Sequence, residues 1–207
     1  ITPSDNTVTL AKMAPGTDGN IISYDASGNP VAVATGSAGQ VLTSAGAGAP
    51  PTFAAAGGIT EADQWRITTD TSVSTSTFFT SNWERNDTVF DKIGTGMSQS
   101  SGIFTFPSTG IWYVSFSAMA TGAASDYIST KIRVTQNNST YTIRGEGYQN
   151  TAAAQDWVGI SSDIMVNVDD ATNVKVKFEG DSGNAITYKG STNVNYTWST
   201  FIRLGDT

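Results

Sequence analysis

The large aromatic side chains are confined to one part of the chain, and this constrains the fold more than any other feature. All five Trp, and every Phe except Phe53, follow position 60. Before that position the charged residues are only Asp5, Lys12, Asp18 and Asp25. Because a hydrophobic core is built from large apolar side chains, the chain is predicted to divide into residues 1–58 and residues 59–207, with the boundary at Gly57 and Gly58.

The N-terminal region, residues 1–58, has too little apolar surface to fold as a monomer. Every ordered residue costs conformational entropy, and the region has few large side chains to offset it. It is therefore either disordered, as its Gly- and Ala-rich composition suggests, or ordered by packing against copies of itself. Two short β-prone runs, 21–24 and 31–34, flank the cluster DASGNP and predict a hairpin, which alone is marginal in water.

From Trp65 onward the sequence is typical of an all-β domain. Runs rich in Thr, Val, Ile and aromatic residues recur with turn signals between them, and no long helical periodicity interrupts them. Ten strands are predicted, a number that suits a jelly roll. They cover residues 65–70, 76–82, 88–93, 102–107, 110–120, 127–136, 140–147, 157–168, 173–180 and 194–204.

Alternation within two of these strands predicts which side chains face the core. Successive strand residues point to opposite faces. The run 110–120 therefore directs Trp112, Val114, Phe116 and Ala118 into the core. Tyr113 and Met119 lie on its other face, either as ordinary surface or as a contact between subunits. In the run 173–180, Val174, Val176 and Phe178 face the core, and Lys175, Lys177 and Glu179 face solvent.

The composition excludes several functions. The chain has no Cys and no His, so disulfides, thiolate zinc sites, cysteine nucleophiles and Ser-His-Asp triads are ruled out. Two carboxylates would serve a glycosidase, but none stands in a recognisable motif, and we predict no catalysis. The apolar runs are too short for membrane insertion, and a net charge of −7 without basic clusters argues against nucleic acid. Ile1 suggests a processed chain or a fragment.

Residues 90–118, FDKIGTGMSQSSGIFTFPSTGIWYVSFSA, resemble the central signature of C1q-like domains. Residues at matching positions are Phe104, Phe106, Pro107, Gly110, Trp112 and Phe116. Residues 161–178 and 199–206 are similar to later strands of that family. Trp112 stands at an aromatic position where the family usually has Tyr, and Val114 stands where it often has Phe. The resemblance covers roughly residues 65–205 and implies a homotrimer of ten-stranded jelly rolls of the C1q/TNF type that binds rather than catalyses.

Residues 18–58 resemble a segment of bacteriophage tail-fibre and related virion proteins that precedes a distal head domain. The resemblance implies a trimeric, interwoven β stalk. Small residues allow close approach of three backbones, and Val41, Leu42 and Phe53 are predicted to form thin apolar layers around the axis. Pro50 and Pro51 stiffen the exit from this segment. A solvated linker explains the composition equally well.

Acidic residues at predicted turns are candidate calcium ligands, because carboxylate and carbonyl oxygens are the ligands that calcium takes. The candidates are Asp169, Asp170 and Asp181. The resemblance to C1q-like domains implies that such a trimer can bind calcium, as some members of that family do. The alternative, which we favour, is that they are ordinary polar turn residues, since no EF-hand spacing is present. No other cofactor is predicted.

Receptor contacts are predicted in the longest irregular loop, residues 147–157. Its polar side chains can bond sugar hydroxyls: Tyr148, Gln149, Asn150, Gln155 and Asp156. The loops 121–127 and 180–190 are rivals, and all three loops are alternatively ordinary solvated turns.

The sequence as a whole favours a virion structural protein, assembled in the host cytoplasm. In this hypothesis residues 1–58 form the stalk and contact other virion proteins, and residues 59–207 form a head that binds a host surface glycan or protein. Two alternatives stay open: a head or neck decoration fibre without receptor binding, and a soluble C1q- or TNF-like lectin.

Overall fold

A computed structural model describes residues 16–151 and 157–207, and every regular element within them is a β-strand. The all-β prediction is therefore confirmed. The chain divides into two compact units, Ile1–Gly58 and Ile59–Thr207. No helix long and apolar enough to cross a membrane occurs among the described residues.

The described part of the first unit consists of two hairpins. Strand β1 (Ile21–Tyr24) pairs with β2 (Pro30–Val33), and β3 (Gln40–Thr43) pairs with β4 (Thr52–Ala55). The first is the hairpin expected from the sequence. Asp25 closes its turn, because Oδ1 accepts hydrogen bonds from the backbone N–H of Ser27 at 2.8 Å and of Asn29 at 2.9 Å, the local bonding that makes Asp a turn residue.

The second unit begins with short strands and continues with long ones. The short strands are β5 (Ala62–Ile67), β6 (Thr71–Val73), β7 (Thr77–Phe78), β8 (Trp83–Arg85), β9 (Lys92–Ile93), β10 (Ser98–Ser100) and β11 (Ile103–Thr105). The later strands are β12 (Gly110–Gly122), β13 (Ser125–Thr135), β14 (Thr142–Thr151), β15 (Val158–Val168), β16 (Lys175–Ser182), β17 (Ile186–Tyr188) and β18 (Thr197–Gly205).

These strands form two antiparallel sheets. The first, which we call the β13 sheet, has the order β10-β11-β16-β13-β14, with β7 paired to β16. The second, the β12 sheet, has the order β6-β17-β12-β18-β5-β8, with β15 paired to β12 and β9 to β5. The core lies between them, as in any two-layer sandwich.

Aromatic side chains from both sheets fill that core. Trp112, Val114 and Phe116 of β12 are fully buried, as the alternation predicted. Phe116 stacks on Phe178 of β16 with ring centroids 4.7 Å apart, so the two sheets meet through these rings. Offset and edge-on contacts of this kind add to the stability that burial alone supplies.

Three details differ from the sequence prediction. The described residues of the second unit contain fourteen strands, β5–β18, rather than ten, because short pairings such as β6 with β17 have no sequence signature of their own. Tyr148, Gln149 and Asn150 belong to strand β14 instead of a loop. Glu179 was expected to face solvent but is 0% exposed, because neighbouring cationic side chains cover it.

Candidate binding surfaces

The outward face of the β12 sheet carries an apolar patch near the Gly110 end of β12. Tyr113 lies directly opposite Met165 of β15 and Ile202 of β18, and side chains of directly opposed residues share one face. Met165 is 65% exposed in the single chain. Along the described strands β12, β15 and β18, Asp163 is the one charged residue on this face. We call this surface the apolar face.

A groove extends the apolar face around the edge of the sandwich. Its volume is about 370 Å³, and its lining includes Met165 with Val134, Gln136, Arg144 and Ile164. Strands β14 and β15 meet at this edge without pairing. The groove thus continues from Met165 to the edge where β14 meets β15, and its lining contains both apolar and polar side chains.

The outward face of the β13 sheet is charged instead. Lys131 of β13 lies opposite Glu146 of β14 and Glu179 of β16. Its Nζ atom is 2.7 Å from Asp181, 3.3 Å from Glu146 and 3.6 Å from Glu179. Burial alone would lower the pKa of Lys131, but hydrogen bonds to Asp181 and Glu146 outweigh it and raise that pKa above its ordinary value.

Glu179 belongs to the same network of charged side chains. It is fully buried and accepts hydrogen bonds from Ser76 and Arg133. Burial would raise the pKa of Glu179, but these bonds and the nearby positive charges lower it overall. Glu179 is therefore ionised at neutral pH and holds the cationic side chains in position.

Two tyrosines border the same network. The Tyr127 and Tyr148 rings pack edge-to-face with centroids 6.2 Å apart, and the Tyr127 hydroxyl donates to Asp181 at 3.4 Å. Tyr148 is 60% exposed, and a hydrogen bond with Glu146 raises its pKa. We call the group of Tyr127, Lys131, Glu146, Tyr148 and Asp181 the Lys131 cluster.

The structure describes three of the five residues predicted to bind a receptor. Tyr148 lies in the Lys131 cluster, and Gln149 and Asn150 follow it along exposed strand β14. Gln155 and Asp156 lie outside the described residues. Lys131 and Glu146 are not among the site residues predicted from the sequence, although their strands carry charges at alternate positions. Only the strand pairing places them side by side.

A second exposed aromatic group lies at one end of the β12 sheet. Trp157 is 59% exposed, and its ring centroid is 6.2 Å from that of Tyr196. The Nζ atom of Lys189 lies 5.9 Å from the Trp157 centroid and pairs with Asp70. The sequence analysis assigned Trp157 to a strand and did not treat it as a binding residue.

The calcium candidates lie at two separate places, with Asp169 and Asp170 in one turn and Asp181 elsewhere. Asp170 precedes β16 and accepts hydrogen bonds within its own turn from Thr172 and Asn173, which lower its pKa. Asp169 is exposed beside it, whereas Asp181 lies near the far end of β16 and binds Lys131. Within residues 16–151 and 157–207, no group of three acidic side chains could hold a metal ion. The favoured prediction, that these are ordinary polar turn residues, and the calcium alternative both stay predictions.

The predicted stalk residues occupy both faces of the second hairpin. Val41 pairs with Ala54, and Leu42 pairs with Phe53. Val41 and Leu42 are roughly half exposed, whereas Phe53 packs against the backbone of Gly36 so closely that no Cβ atom would fit there. Phe53 thus makes contacts within its own chain, whereas Val41 and Leu42 remain about half exposed.

Comparisons with known proteins show the fold. The sequence matches no protein-family model and no curated protein. The structure is similar to Eiger TNF from S. frugiperda, with a TM-score of 0.56 and 14% identity over 70% of this chain and 93% of that one. It is also similar to murine APRIL, with a TM-score of 0.52 and 13% identity over 70% of this chain and 98% of that one. The predicted C1q/TNF-like jelly roll is therefore confirmed.

Proposed function

We propose that this chain is a non-enzymatic structural protein of a virion, a homotrimeric fibre whose second unit is a head that binds a host surface. The first unit would form an interwoven stalk and contact other virion proteins. The virion assignment rests on the fibre-type segment at residues 18–58. The lack of His and Cys and the TNF-like fold favour binding over catalysis.

The uncovered apolar surface carries the proposal of a trimer. Met165 and its neighbours Tyr113 and Ile202 form an apolar face almost free of charge. Apolar patches rimmed by polar residues mark interaction sites on soluble proteins. Two resemblances to trimeric families, C1q-like domains and phage fibres, make other copies of this chain the expected occupants.

The first unit also exposes apolar side chains, which other copies of the chain would cover. Of its described apolar side chains, Val33 is buried, whereas Ile22, Tyr24, Val41 and Leu42 are exposed. The exposed residues lie on both faces of the hairpins, so one neighbouring chain could not cover them all. Interweaving of three chains accounts for apolar residues on both sides.

Mass and binding measurements test the proposal. Sedimentation of the full chain should give three times the sequence mass of 21.7 kDa, and a monomer with an ordered first unit would refute the trimer. Purified protein should bind susceptible host cells. If it binds no susceptible host, the alternative of a decoration fibre without receptor binding is favoured. If the chain is secreted and absent from purified virions, the alternative of a soluble lectin is favoured.

A further inference from the structure

We infer that the Lys131 cluster is a binding site for a neutral, hydroxyl-rich glycan. This inference rests on the proposed attachment function and names its ligand class and its site. The cluster lies on the outward face of the β13 sheet, away from the apolar face assigned to contacts between copies. It therefore stays accessible in the trimer that we propose.

The carboxylates of the cluster supply hydrogen-bond acceptors. The ammonium of Lys131 has three hydrogens and faces Asp181, Glu146 and Glu179. Glu146 and Asp181 remain partly exposed, with 24% and 15% of their side-chain surface accessible. An ionised carboxylate has about four lone-pair sites, so both groups keep acceptor capacity for sugar hydroxyls after bonding Lys131.

Tyr148 supplies the apolar contact that a sugar ring requires. Its exposed ring stands on edge strand β14, two residues from Glu146 and thus on the same face of the strand. Tyr127 packs against it edge-on and limits its movement. A ring with an apolar body and a polar rim is the arrangement that pockets for polar ligands use.

Ser129 adds an independent observation. It lies opposite both Tyr148 and Asp181 on neighbouring strands, two residues from Lys131 and thus on the same face. It is 0% exposed, yet its hydroxyl has no hydrogen-bond partner among the described residues. Because a buried unpaired hydroxyl is costly, a ligand hydroxyl that enters the cluster would relieve that cost.

The charge of the site selects neutral sugars. Glu146, Glu179 and Asp181 carry three negative charges against the two positive charges of Lys131 and Arg133. Both cations already pair with these carboxylates, and the whole chain is acidic, with a net charge of −7. Lys177, the next cation on this face of β16, lies over the Phe78 and Tyr141 rings. An acidic sugar such as sialic acid would therefore meet the repulsion of the three carboxylates.

Binding of the full-length protein to immobilised neutral glycans and their sialylated counterparts tests the inference. We expect neutral glycans to bind and sialylated forms to bind more weakly. Tyr148→Ala should lower affinity about tenfold or more, and Tyr148→Phe should lower it less because the ring remains. Val89→Ala shortens a highly exposed apolar side chain outside the Lys131 cluster and should change nothing. Thermal melting of each variant checks that it folds.

Two outcomes would overturn the glycan inference and leave the proposed attachment function standing. One is unchanged glycan binding by Tyr148→Ala, with binding lost instead in Trp157→Ala. The other is binding to host cells that survives periodate oxidation of their sugars, which would indicate a protein receptor. In both cases wild-type protein still binds cells and the attachment function stands. Failure of wild-type protein to bind any susceptible cell would refute both the glycan inference and the attachment function.

Discussion

Arg85 holds the buried carboxylate of Asp63 through three hydrogen bonds, the two shorter of which run from Nε to Oδ1 at 3.0 Å and from Nη2 to Oδ2 at 3.1 Å. Asp63 is 0% exposed and also accepts from the Trp65 indole at 2.9 Å and from the Met97 backbone N–H at 2.7 Å. One carboxylate thus joins β5, β8 and the segment before β10.

Replacing Asp63 should destabilise the second unit strongly. Asp63→Ala leaves the Arg85 guanidinium and the Met97 N–H without their partner, and breaking such a buried pair costs about 3–5 kcal/mol. Chemical denaturation measures the loss. The control is Asp206→Ala, which removes a highly exposed partner of Arg203 and should leave stability unchanged. Equal stability of the two variants would contradict the structural role of Asp63.

Stability should fall in acid through Glu179. Its pKa in the folded protein is lowered below the ordinary value of 4.5, so its ionised form stabilises the fold. That contribution is complete above pH 4.5 and is lost as pH falls towards the folded pKa. Melting temperatures measured between pH 7 and pH 3 should therefore decline. Glu179→Gln should melt lower at pH 7 and show a smaller decline, and an undiminished slope would contradict this assignment.

A charge on the apolar face should dissociate the trimer. Met165→Glu places a carboxylate opposite Tyr113, and burying an unpaired charge at an interface is unfavourable. Because the proposed stalk contacts of the first unit remain, sedimentation should show partial dissociation at concentrations where the wild type is fully trimeric. Lys177→Glu, on the outward face of the other sheet, is the matched control and should stay trimeric. A trimeric Met165→Glu variant would place the interface elsewhere.

The first unit should lose order when its exposed apolar residues become charged. Leu42→Asp alters a half-exposed side chain of β3, which within one chain would cost little. In an interwoven stalk the same change lies between copies and should expose the region to proteolysis. Limited digestion followed by mass spectrometry detects cleavage within residues 16–58. Ser27→Asp, at the exposed turn of the first hairpin, serves as control and should resist digestion like the wild type.

Period-two patterns in the sequence were enough to predict the β class and the core. Trp112, Val114 and Phe116 are buried as their alternation required, because side-chain direction along a strand is a local property. The turn at Asp25 could also be predicted from the sequence, since its hydrogen bonds join residues at most four positions apart.

The candidate site depended on the tertiary structure. Lys131, Glu146 and Asp181 are separated by long stretches of chain, and only the register of β13 with β14 and β16 brings them together. The same pairing buried Glu179, which the alternation had assigned to solvent. Sequence determines on which face of a strand each residue lies. Which strands are neighbours, and thus which charges meet, is decided by long-range pairing that no local pattern encodes.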